Sequence, residues 1–157
     1  MIVQIEGSTE SKRKHVEVAA HFFEKLLFKR RLPSLRLDVE LVHRLKHKEE
    51  TEGDCIWEDR PTKPREFTVR LDSSSNLANI IKTLAHEMVH VKQYATGELK
   101  DTSLESVIWL GECYSCEKIH YYDWPWEIEA AGRETGLYVR YMEEFGYTRE
   151  KWATGFI

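Results

Sequence analysis

Between residues 76 and 95, apolar side chains recur at Leu77, Ile80, Ile81, Leu84, Ala85, Met88 and Val91 or Val89. This i, i+3, i+4, i+7 spacing predicts an amphipathic helix. Asn79, Thr83, His86, Glu87, His90 and Gln93 form the opposite stripe, which should look away from the core. Ser73, Ser74, Ser75 and Asn76 offer N-cap chemistry before the pattern, and Gly97 offers a stop after it. Residues 10–31 repeat the helical spacing through Val16, Ala19, Ala20, Phe22, Phe23, Leu26 and Leu27, with Pro33 as the terminator. A third helix is expected over 124–145, with Pro125 at a favoured first position and Gly146 closing it. Its expected inner face carries Ile128, Ala131, Leu137, Tyr138, Tyr141 and Met142.

Other stretches alternate. Residues 35–43 place Leu35, Leu37, Val39 and Leu41 at every second position, as a half-buried strand does. Residues 2–5 are expected to form a short edge strand, and 55–57 and 66–71 two further strands. Pro61 and Pro64 suit the link between them and not a central ladder. Residues 46–54 are expected to turn and 98–105 to form a polar loop. A hairpin over 106–116 should turn at Gly111-Glu112. The tail, with Trp152, Phe156 and Ile157, is apolar enough to pack back on the domain. Helix, three strands, then helix predicts an α+β fold: a compact single domain over 1–157, with a small twisted, mostly antiparallel sheet packed on helices.

Composition narrows the class. The chain has 157 residues, 41% hydrophobic and 32% charged, which suits a globular domain with a real core. No apolar run reaches membrane-spanning length. The opening Met1-Ile-Val-Gln-Ile-Glu lacks a basic n-region and a long apolar h-region, so a cytoplasmic protein is expected. A net charge of -4 names no partner. Lys12-Arg13-Lys14 and Lys29-Arg30-Arg31 make the N-terminal helix basic, which suits a solvated face or, less often, nucleic acid. Cys55, Cys113 and Cys116 are too few for a disulfide framework.

The chemistry gathers on the polar stripe of the 76–95 helix. His86-Glu87-Met-Val-His90 is His-Glu-x-x-His. Residues four apart share a helix face, so His86 and His90 can offer nitrogens to one ion while Glu87 reaches a water beside it. The plainer alternative is an ordinary helix with two surface histidines. Catalytic zinc takes three protein ligands as a rule, so a third is needed. His120, Glu127, Glu129, Glu112, Glu117 and the cysteines are the candidates downstream or nearby. Helical order favours Glu127 or Glu129, which cannot both face one point.

His86-Glu87-x-x-His90 followed by Glu127-Ile-Glu-Ala130 resembles the gluzincin branch of the zincin metallopeptidases, including thermolysin-like, HtpX-like and ImmA-type members. The segment Tyr121 to Ala130 also looks like small, often phage-encoded metallopeptidases. The likeness covers about 45 residues. It implies a zinc-dependent hydrolase of peptide bonds, with His86, His90 and Glu127 as ligands and Glu87 as the base that activates a zinc-bound water. Tyr121, Tyr122 or His120 would assist the oxyanion. The chain departs from the pattern at Ala131, where these families commonly carry an Asp or Asn that supports a ligand histidine; Glu129 is a possible substitute. SprT-like proteases are also similar but use a third histidine, which makes His120 the architectural alternative.

Cys113-Tyr-Ser-Cys116, with His120 and Cys55, has spacing compatible with a second zinc, although two hairpin thiols of no special role are the commoner case. The rival function is a non-catalytic zinc-bound interaction module touching nucleic acid through the basic N-terminal helix. Expected partners are thus a peptide or protein substrate and a zinc ion, with no membrane.

Overall fold

The structure is a computed structural model that describes residues 1–30, 32, 34–103 and 105–153. Its larger sheet has four strands, β1 (Ile2–Gly7), β2 (Arg36–Val42), β3 (Gly53–Trp57) and β4 (Glu66–Asp72), in the order β1-β2-β4-β3. A smaller antiparallel sheet follows, from β5 (Leu99–Ser103), β6 (Ser106–Trp109) and β7 (Glu112–Ser115). Among the described residues four α-helices complete the fold: α1 (Glu10–Leu27), α2 (Leu45–Glu49), α3 (Leu77–Thr96) and α4 (Pro125–Glu144). The α+β class expected from sequence is the one observed.

The larger sheet is mixed. β1 and β4 both run parallel to β2, and only β3 is antiparallel to its neighbour. Over both sheets, three of the five pairings are antiparallel. α1 carries the chain back between β1 and β2, and α2 with β3 does so between β2 and β4. β2 alternates because only one of its faces is buried, through Leu37, Val39 and Leu41. Parallel strands are usually covered on both faces and lose that alternation.

The core lies between this face and the helices. Phe23 and Ala19 of α1, Val69 and Leu71 of β4, and Leu84 and Met88 of α3 are all fully buried in it. Tyr141 of α4 closes one side. Leu99, Val107, Trp109 and Trp126 form a separate small cluster beneath the second sheet. Among the described residues no helix is long and apolar enough to cross a membrane.

Several local expectations change. Residues 98–105 are not simply a loop, because β5 lies within them and pairs with β6. Residues 46–54 contain most of α2 and the start of β3. The hairpin turns one residue earlier than expected, at Leu110 and Gly111, whose φ values of 50° and 94° suit a tight two-residue turn. α1 ends at Leu27; Arg31 and Pro33 lie outside the described residues, as do Phe156 and Ile157 of the tail. Ile128 is 56% exposed and Ala131 is also exposed, so neither belongs to the inner face of α4. Trp126 and Ala130 take that place. Ile128 follows Trp126 by about 200° around the helix, which turns it outward.

Asp72 fastens the loop that leads into α3. Its two oxygens accept from the backbone N–H of Lys46 (2.9 Å) and of Ser74 (2.8 Å). Burial alone would raise this carboxyl, but those backbone hydrogen bonds hold it below its ordinary value. Asp72→Ala should cost about 1–3 kcal/mol in urea unfolding, because partly buried donors lose their acceptor. The wild-type contribution should be present above the unfolded-state pKa of about 3.9 and fade as pH falls through the lower folded value. An alanine variant as stable as wild type at pH 7 would contradict this role.

Candidate metal centre

α3 is capped at its start by Asn76, whose side chain accepts from the N–H of Asn79 (2.8 Å), and at its end by Gly97 with φ 79°. Between these caps, His86 and His90 lie one turn apart. α4 packs against α3, and Pro125 starts it so that Glu127 falls in its first turn. Glu127 Oε2 lies 3.4 Å from His86 Nε2, and Glu127 Oε1 lies 3.4 Å from His90 Nε2. The two Nε2 atoms are 3.2 Å apart. One donor atom from each residue falls within 4.8 Å of the others, the sole such group of three or more among the described residues.

The other ring nitrogens are occupied. His86 Nδ1 meets Glu134 Oε2 at 3.2 Å, and His90 Nδ1 meets Gln93 Oε1 at 2.9 Å. Each imidazole therefore presents Nε2 to the shared point. Two imidazoles and a carboxylate, oriented by outer partners and open on one side, are a donor set that suits zinc. Glu134 lies two helical turns beyond Glu127 and so on the same face. It does for His86 what the exposed Ala131 cannot.

Glu87 is only 6% exposed, and burial lifts its carboxyl to about 7. Burial would also raise Glu127, but hydrogen bonds from His86 and His90 hold it well below the ordinary carboxylate range. Burial opposes charge on His86, yet its hydrogen bonds to Glu127 and Glu134 push it up to about 10. His90 is raised as well: burial works against its charged form, and the Glu127 hydrogen bond outweighs it.

The group opens into a cleft of about 340 Å³. β3, at one edge of the larger sheet, forms one wall through Gly53, Asp54 and Cys55. Gly53 allows the close approach of β3 to α3, since a Cβ there would sit 2.5 Å from Thr83 Cγ2 and 3.0 Å from Arg70 O. Asp101 of β5 closes in from the second sheet, accepting from Trp57 Nε1 and Tyr94 Oη at 3.0 Å each. Tyr121, Trp124 and Trp126 line another side.

The remaining sequence candidates separate clearly. Glu129 stays out of the donor group, bonded to Gln93 (3.0 Å), Lys92 (3.2 Å) and Arg133 (3.0 Å). His120 is exposed and stacks on Tyr122, which is 77% exposed. Of the three proposed oxyanion donors, only Tyr121 lines the cleft, and its hydroxyl donates to Glu127 Oε2 at 2.8 Å. Glu112 and Glu117 are exposed. Cys55, Cys113 and Cys116 are free thiols and form no metal-holding group with His120 among the described residues. The partnership of Gln93 and Glu134 with the histidines has no signal in the local sequence, since it depends on how α4 lies across α3. The expected outward stripe of α3 is in fact largely covered, with Gln93 fully buried.

No protein family, curated protein or solved structure matches this chain.

Proposed function

We propose that the protein is a zinc-dependent metallopeptidase. One observation carries this: the two imidazoles of a His-Glu-x-x-His helix and the Glu127 carboxylate converge in an open cleft, with Glu87 buried beside them. His86, His90 and Glu127 would hold the ion. When bound, zinc supplies Lewis acidity, which acidifies a water and polarises a carbonyl oxygen.

The chain's own groups provide the rest. Glu87, poised near neutrality by burial, accepts a proton from the attacking water as its oxygen bonds to the scissile carbonyl carbon. The same carboxyl then hands that proton to the departing amine as the C–N bond breaks. Tyr121 has its hydroxyl at Glu127 and can offer an O–H to a developing oxyanion. The outer edge of β3 can pair with an extended substrate backbone, as exposed strand edges do. The cleft lining includes Asp54, Glu87, Asp101 and Glu127 and, among the described residues, no lysine or arginine. With Asp54 paired to Arg70 and Glu127 committed to the ion, Asp101 is the acidic group that would favour a neutral or basic peptide segment over an acidic one.

The rival reading, a zinc-bound module contacting nucleic acid, has less support. Lys12 Nζ donates to Ser73 O and Ser75 O, and Arg13 donates to Gly7 O and Ser8 O. Those two cations of the basic stretch are thus committed to backbone carbonyls.

Metal analysis tests the proposal. Wild type should bind one zinc per chain, and so should Glu129→Ala and His120→Ala, although Glu129→Ala should bind it more weakly. His86→Ala and Glu127→Ala should lose it. Retention by Glu127→Ala, or loss by His120→Ala, would overturn the ligand assignment.

A further inference from the structure

Gln93 is fully buried, and its whole amide is engaged. Its Nε2 lies 3.0 Å from Trp126 O and 3.0 Å from Glu129 Oε2. A peptide carbonyl can only accept, so the group facing Trp126 O must be the NH2. The flipped amide would set its oxygen against both acceptors and lose both bonds. The Gln93 carbonyl must therefore face His90, where Oε1 lies 2.9 Å from Nδ1. That oxygen has no proton to give, so the proton between them belongs to Nδ1. Without the ion, Nε2 also carries a proton and donates to Glu127; a metal ligand must be neutral, and since Nδ1 keeps its N–H, it is Nε2 that gives up its proton and offers a lone pair.

We propose that Gln93, anchored by Trp126 O and Glu129, is a positioning residue that selects the ligating tautomer of His90. This rests on the metallopeptidase reading, because the lone pair so exposed points at the donor group of His86 and Glu127. The lock has a second effect. Trp126 and Glu129 flank Glu127, so the same amide ties the histidine helix to the turn that presents the carboxylate. Glu129 is itself pinned by Lys92 and Arg133, which carries the constraint out to the surface. His86 is held differently, by a carboxylate, Glu134, which accepts from its Nδ1.

The test uses the full chain loaded with zinc and labelled with 15N-histidine. In wild type, NMR should find a slowly exchanging proton on His90 Nδ1 and zinc on Nε2. Gln93→Leu should lower zinc affinity about 10–100-fold in chelator competition and speed exchange of that proton. Gln93→Glu keeps an acceptor for His90 but turns an oxygen toward Trp126 O and Glu129, so it should also weaken zinc. Adding Glu129→Gln restores a donor across that contact and should recover part of the affinity, which a purely space-filling role would not produce. Wild-type zinc bound through His90 Nδ1, or unchanged affinity in Gln93→Leu, overturns the inference alone. Wild type that binds no zinc overturns the metallopeptidase reading and the inference with it. The wild-type spectrum decides the tautomer even if a Gln93 variant fails to fold.

Discussion

Glu87→Gln is expected to lower kcat for peptide hydrolysis by about 10²–10⁴-fold, roughly 3–5 kcal/mol of transition-state stabilisation. The amide keeps the size of the side chain but cannot take a proton from water. Zinc content should stay at the wild-type level, because Glu87 is not among the three converging donors. Stability should hold or rise, since a buried carboxyl lifted to about 7 is replaced by a group with no charge to desolvate. Loss of activity with metal and fold intact would separate the base from the ligands. A glutamine variant that cleaves at the wild-type rate would remove Glu87 from the mechanism.

Zinc itself should be a large stabiliser. An ion that binds only the folded chain contributes about 2.7 kcal/mol at a hundred times its Kd and about 4.1 at a thousand times. For a chain of this size, each kcal/mol moves Tm by roughly 2–4 °C. Calorimetry with and without excess zinc should therefore show a rise of about 5–15 °C. Glu127→Ala and His90→Ala should show little of it. A full shift in Glu127→Ala would mean that the ion sits elsewhere.

The sequence exposed what depends on local periodicity. His86, Glu87 and His90 could be set on one face because the apolar spacing of α3 is regular and both of its caps are local signals. Glu127 is singled out in the sequence by a family resemblance and by the need for a third ligand. What the sequence hides depends on partners distant in the chain. Gln93 shares a polar stripe with His86 and His90, and nothing in that stripe says that α4 will lie across it. Glu134 becomes visible only when two helical turns of α4 are set against α3. β5, Leu-Lys-Asp-Thr-Ser, carries one apolar residue and gains its strand character by pairing with β6. The parallel pairings of β2 were hidden by its single buried face.

The donors come from α3 and α4, which pack directly on each other, while the chain between them folds into β5, β6 and β7 over the cleft. The converging donor atoms and the cleft cover are thus carried by separable stretches. Residues 99–115 could diverge in length and character, redrawing what fits the cleft, while the helix pair that brings His86, His90 and Glu127 together stayed unaltered. A fold arranged this way lets selectivity drift in evolution, or be grafted by design, without rebuilding the centre beneath it.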